Sequence, residues 1–166
     1  GIDNIDISAA TRKGAVVMNT PDANTISAAE HTMALLLSLS RNVSHGHQSI
    51  LSGHWDRHKF IGSELRAKTL GIIGLGKIGR EVLQRALGFN MKILGYDPFI
   101  KEDMLRPSEI KLLDLNELVE KSDFITIHIP LTNDTKNLFN YEMLNKMKKE
   151  ARIINVARGG IINEND

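Results

Sequence analysis

The chain has 166 residues, 42% hydrophobic and 25% charged, a balance that suits one ordinary globular core and argues against a disordered chain. Its 21 basic and 20 acidic side chains are interspersed and sum to a formal charge of +1, so no electrostatic footprint for nucleic acid or an anionic membrane is present. No apolar run approaches the roughly 18 residues of a membrane span; no signal-peptide pattern opens the chain, and the lack of cysteine is compatible with the expected setting, the cytoplasm.

In chain order, residues 1–14, "GIDNIDISAATRKG", read as a short helix closed by Gly14, and "AVVMNTP" reads as the strand after it. A lone helix and strand cannot bury their apolar faces, so the chain reads as if entered in the middle of a fold. In "NTISAAEHTMALLLSLSRN", Ile26, Ala29, Met33, Leu36 and Leu37 recur at helical spacing, and Ser27 is placed to form a capping box with Glu30. Leu35 and Leu39 widen the stripe, as in helices that lie between layers or at a subunit interface. Val43 to Glu64 has no clear period and reads as a helix start followed by an extended arm. Beyond it, strands "KTLGIIG", "KILGYDP", a short one near Ile110, "FITIHIP" and "RIINVA" alternate with helices "KIGREVLQRALGF", "LNELVEKSD" and "NYEMLNKM", with a polar segment before Ile110. Short apolar strands separated by helices predict a doubly wound α/β fold around a parallel sheet.

The sharpest motif is "GLGKIG", Gly74 to Gly79. Alone, G-x-G-x-x-G also describes any tight strand-to-helix turn. Here it follows a predicted strand, opens a helix whose Ile78, Val82, Ala86 and Leu87 form one apolar face, and precedes Asp97 at the end of the next strand, about 20 residues on. Those contexts point to dinucleotide binding in a Rossmann-like sheet. Gly74 suits a sharp turn, Gly76 leaves a pyrophosphate unobstructed, and Gly79 lets helix and strand approach; the first helical amides favour the phosphate charge. Asp97 is placed to accept hydrogen bonds from the adenosine ribose, and its charge prefers NAD over the 2′-phosphate of NADP. The competing reading of Asp97 is a turn residue before Pro98.

In open parallel sheets ligands bind beyond the carboxyl ends of the strands. "HIPLT", His128 to Thr132, falls there, beside the expected nicotinamide half of the cofactor, and "NVARGG" delivers Arg158 to the same edge. A guanidinium stays charged and offers paired donors, so it can hold a carboxylate and polarise a neighbouring oxygen; the alternative is an arginine that only neutralises carbonyls or an acid. His45, His47, His54 and His58 cluster in the arm without cysteine or helical period, so no metal site is expected and solvated or interface histidines are the reading.

"NTPDANTISAAEHTMALLLSLSRN", "WDRHKFIGSEL", "KTLGIIGLGKIGREV", "YDP", "FITIHIPLT" and "INVARGG" together resemble the D-2-hydroxyacid dehydrogenase family, in the family's order and over essentially the whole chain. The resemblance is strongest to members that oxidise 3-phospho-D-glycerate to 3-phosphohydroxypyruvate with NAD, at the start of serine biosynthesis. It implies a small-molecule 2-hydroxy acid substrate and a homodimer or homotetramer formed through residues 27–64. Lys77 and Ile78 match positions that contact the pyrophosphate, Asp97 the ribose-binding acid, and Ile129, Val156, Ala157 and Arg158 contacts near the nicotinamide. Arg158 also matches the catalytic arginine, and Arg57 a basic position that in some relatives reaches the substrate phosphate of a neighbouring subunit. The family's catalytic glutamate and histidine match nothing here, and only residues 1–23 resemble its substrate domain. The expectation is therefore a cofactor domain over 24–166, truncated at its C-terminal part and inactive alone. Another family member, such as a glyoxylate or hydroxypyruvate reductase or a D-lactate dehydrogenase, or a non-enzymatic NAD-sensing corepressor-like module, are the alternatives.

Overall fold

The computed structural model describes residue 2, residues 4–101 and residues 109–166. The polar segment expected before Ile110 lies mostly outside the described residues, as do Gly1 and Asp3 at the start. Helix α1 spans Ile7–Arg12, with Asp6 Oδ1 accepting the Ala9 amide at 2.8 Å as its N-cap and Gly14 beyond its end at φ +67°. The strand expected over "AVVMNTP" does not form: no partner strand lies beside it among the described residues, and Val16 and Met18 are 82% and 84% exposed. Apolar β-branched sequence supplies the propensity, but a strand exists only through its ladder.

Helix α2, Thr25–Arg41, has Asn24 as its N-cap residue, three residues before the N-cap position that the capping-box reading gives Ser27. Ser27 thus sits inside the first turn, and Glu30 instead faces Arg85 at 3.7 Å. Ala29, Met33 and Leu36 form the buried face, Leu37 is partly buried, and Ile26, Leu35 and Leu39 are exposed. Asn42 takes the left-handed conformation at φ 54° and breaks α2 from α3, Val43–Leu51. The irregular chain that follows is tied back by the Ser63 amide, which donates to Ser40 O at 2.8 Å.

The rest is the expected doubly wound sheet. Strands β1 (Thr69–Ile73), β2 (Lys92–Tyr96), β3 (Lys111–Leu112), β4 (Phe124–Ile127) and β5 (Arg152–Asn155) are all parallel, in the order β3-β2-β1-β4-β5. Helices α4 (Lys77–Gly88), α5 (Leu115–Lys121) and α6 (Tyr141–Asn145) connect them. Leu70, Ile72, Phe124 and Ile154 point to one face, against α2 and α4; Ile73, Ile125 and Ile127 point to the other, against Leu118 and Val119 of α5 and Phe139. Burial on both faces is why β1 and β4 read as near-continuous apolar runs and not as alternating ones. The order reverses between β1 and β4, and at that point the loops leaving the two strands diverge to opposite faces and open a crevice.

Candidate functional site: a cleft at the carboxyl ends of the strands

β1 ends at Ile73, and Gly74, at φ +91°, turns the chain sharply into α4. A Cβ on Gly74 would lie 2.6 Å from His128 O, so the turn also needs the missing side chain to let the β4 loop pass. Helix α4 opens at Gly76 with no side-chain cap, so its first amides, with the helix dipole, face outward from the loop. Arg80 Nε donates to Leu75 O at 2.9 Å and braces the bend. Lys77, on the first turn, is ion-paired with Asp22.

Asp97 follows β2 directly and is joined to the same loop. Its Oδ2 accepts the Leu75 amide at 2.8 Å and its Oδ1 accepts the Phe99 amide at 2.9 Å. The carboxylate is therefore held at the lip of the glycine turn, and each oxygen keeps a second acceptor position. The turn-residue reading and the ligand reading of Asp97 describe one arrangement, since the Phe99 contact is the turn.

Ile78, Ile129, Val156, Ala157 and Arg158 line one cleft of about 230 Å³. The family resemblance matches all five to cofactor contacts; it does not extend to Asn24 and Ala28, which, from the start of α2, close the same cleft beside His128, Pro130 and Leu131. Nothing local marks Asn24 or Ala28, because their role depends on how α2 packs on α4. His128 carried a signal, its position after β4. Its Nε2 lies 3.0 Å from Thr126 Oγ1, itself fully buried, and burial pushes the imidazole pKa down to about 4. Thr135 Oγ1 donates to Pro130 O at 2.7 Å and accepts the Thr132 amide at 2.7 Å, which stiffens the loop after β4.

Arg158 sits at the mouth of the cleft, one Nη donating to Ala157 O at 2.8 Å. Arg57 stands apart, exposed in a separate concavity with Trp55 and Lys59. Among the described residues no group of three or more histidine, aspartate or glutamate side chains is placed to hold a metal ion, and no helix is long and apolar enough to cross a membrane.

The family model of the D-isomer specific 2-hydroxyacid dehydrogenase, NAD binding domain, matches residues 33–166. The chain belongs to this family. As a D-isomer specific 2-hydroxyacid dehydrogenase sequence it is 50% identical over 165 residues to the D-3-phosphoglycerate dehydrogenase of Methanocaldococcus jannaschii, covering 99% of this chain and 32% of that one. It is 51% identical over 164 residues to the D-3-phosphoglycerate dehydrogenase of Synechocystis sp., covering 99% and 30%. The chain thus spans about a third of the length of these curated relatives. In three dimensions it is similar to the NAD-dependent formate dehydrogenase from Staphylococcus aureus in complex with NAD, with a TM-score of 0.89 and 39% identity over 99% of this chain and 50% of that one.

The loop of this 2-hydroxyacid dehydrogenase domain fits the dinucleotide that the family implies. A Cβ added at Gly79 would meet Gly74 O at 2.0 Å, whereas one added at Gly76 would meet nothing within 4 Å. Gly79 is a packing requirement of the fold. Gly76 meets no such requirement, and the open space in front of its backbone is where a pyrophosphate can approach.

Proposed function

We propose that this chain is the cofactor-binding core of an NAD-dependent dehydrogenase that oxidises 3-phospho-D-glycerate to 3-phosphohydroxypyruvate. The observation that carries the reading is the single cleft joining Ile78 of the glycine-loop helix, the loop after β4 and Arg158, in a chain half identical to curated D-3-phosphoglycerate dehydrogenases. Gly76, Lys77 and Ile78 hold the pyrophosphate on the turn that Gly74 and Gly79 make possible, Asp97 holds the adenosine ribose, and Ile129, Val156 and Ala157 shape the nicotinamide end. When bound, NAD supplies the hydride acceptor. Arg158 anchors the substrate carboxylate and polarises the oxygen beside it through paired donors. His128, with a pKa of about 4, is a weak base at neutral pH; it shapes the cleft and does not relay the proton.

The same reading carries the finer expectations from sequence. Residues 1–23 belong to a second, substrate-binding domain and 24–166 to the cofactor domain; the failure of 15–20 to join the sheet supports that division. A homodimer or homotetramer forms through residues 27–64, where Leu35, Leu39, Val43, Ile50, Leu51 and Trp55 are exposed. Arg57 then serves the neighbouring subunit, and the setting is cytoplasmic.

The test is a titration of Asp97→Ala with both cofactors. Loss of charge-assisted bonds of about 1.5–3 kcal/mol should weaken NAD by roughly tenfold to a hundredfold and NADP much less. An unchanged NAD/NADP ratio would remove Asp97 from the site. For the substrate, NADH formation by the full-length protein from 3-phosphoglycerate is expected; turnover of D-lactate instead would move the chain elsewhere in the family, and NAD binding with no turnover of any hydroxy acid would favour the corepressor-like module.

A further inference from the structure

Asn155 is the last residue of β5, paired in register with Ile127 of β4, so its backbone is fixed by the sheet. Its side chain turns onward and spans the bend that follows. Oδ1 accepts the Ala157 amide at 3.0 Å, and Nδ2 donates to Arg158 O at 2.8 Å. One planar amide thereby ties both ends of the Val156 to Arg158 bend to the rigid end of a strand, and these three residues are the ones that line the cleft from this side.

We infer that Asn155 is the positioning residue for Arg158, setting the point from which the guanidinium reaches a substrate carboxylate; this rests on the role proposed above for Arg158. A long arginine side chain has many rotamers, so its reach is defined only if its own backbone is held. A misplacement of about 1 Å at such a group costs on the order of a hundredfold in rate. Only a side chain with an acceptor and a donor on one short stem satisfies both ends of the bend. Aspartate keeps the acceptor for Ala157 but sets a carboxylate oxygen against Arg158 O, and alanine keeps neither. Arg158 Nη1 returns to Ala157 O at 2.8 Å, so the bend and the guanidinium are coupled from both directions.

Two measurements on the full-length protein test this. Hydrogen exchange, without cofactor or substrate, reads the tether: Asn155→Ala should speed exchange of the Ala157 amide tenfold or more, while Asn155→Asp leaves it protected. Equal protection in parent and Asn155→Ala overturns the inference. A double-mutant cycle then reads the coupling. Asn155→Asp should raise KM for the hydroxy acid about tenfold, with the NAD dissociation constant changed less than threefold, and in an Arg158→Lys background it should add less than twofold. The same tenfold rise in both backgrounds, or no rise in either, overturns positioning through Arg158. If Arg158→Lys raises KM and Asn155→Asp does not, the inference falls and the proposed role of Arg158 stands; if Arg158→Lys leaves KM unchanged, both fall.

Discussion

At the amino ends of the strands, Asp123 accepts the Thr69 amide with Oδ2 at 2.8 Å and Lys148 Nζ with Oδ1 at 2.8 Å, fastening the start of β1 to the start of β4 and matching its charge with a cation. At the carboxyl ends, Asp97 does the same for two backbone amides, of Leu75 and Phe99, but no ion pair to it is formed among the described residues. The same side chain, at the two edges of one sheet, closes one edge and leaves charge at the other. The helix starts within the carboxyl edge differ in the same way. The N-cap Asp114 of α5 accepts the Glu117 amide at 2.9 Å, whereas α4, at the glycine turn, opens at Gly76 with no side-chain cap. An edge whose donors and charges are matched internally is a structural edge, and one whose donors and charges face a cleft is built for a ligand.

The strongest way to break that contrast is to interchange the two kinds of glycine. Gly79→Ala would gain about 1 kcal/mol of helix propensity, but its Cβ would lie 2.0 Å from Gly74 O, so a net loss of about 2 kcal/mol or more is expected in urea unfolding, together with loss of NADH binding. Gly76→Ala has open space and a φ of −66° that any residue adopts, so stability should stay within about 0.5 kcal/mol while NADH affinity, followed by fluorescence, falls at least tenfold. Equal destabilisation by both would end the distinction between a packing glycine and a ligand glycine.

A second effect comes from the cleft wall. The unfolded chain protonates His128 near 6.5 and the fold not until about 4, because burial disfavours the imidazolium. Stability is therefore full above 6.5 and declines as pH falls toward 4, by on the order of 3 kcal/mol. His128→Asn, which can keep a hydrogen bond to Thr126, should flatten this window. Urea midpoints of parent and variant at pH 7 and pH 5 give the answer, and parallel declines would show that His128 is not the group responsible.

The sequence makes the sheet legible because parallel strands covered on both faces are rich in consecutive apolar residues, as residues 70–73 and Phe124–Ile127 are apart from Gly71 and Thr126, and as Ile153 and Ile154 are within β5. The glycine loop and Asp97 are legible because the spacing of a strand-turn-helix is local. Val16 and Met18 mislead for the complementary reason: their propensity is local, but a strand partner is not. Ser27 and Glu30 have the capping-box residues, yet the helix begins at Thr25, with Asn24 as its N-cap residue and no side-chain cap. Asn24 and Ala28 reach the cleft only through the packing of α2 on α4. Asn155 did carry a signal, an asparagine at a strand end, two residues before the amide it binds, and its value shows only once the bend beyond it is seen to carry Arg158.

The smallest expected effect lies at the closed edge. For Asp123, burial alone would raise the pKa, but the hydrogen bonds from Lys148 and the Thr69 amide, with the nearby charges of Lys148 and Lys68, outweigh it and hold the carboxyl below its ordinary value of 3.8. The stability this gives is present above the ordinary carboxylate range and is lost as pH falls through the lowered value, because there the fold must finally take up the proton. Asp123→Asn keeps an acceptor for Thr69 but not the attraction to Lys148, a partly exposed pair, so it should cost about 1 kcal/mol at pH 7 and much less near pH 3. NAD affinity should be unchanged, since Asp123 stands at the opposite end of the strands from Gly76. A loss of affinity equal to that of Gly76→Ala would mean that the two edges are not separate in function, and that the amino edge sets the geometry of the cleft through β1 and β4.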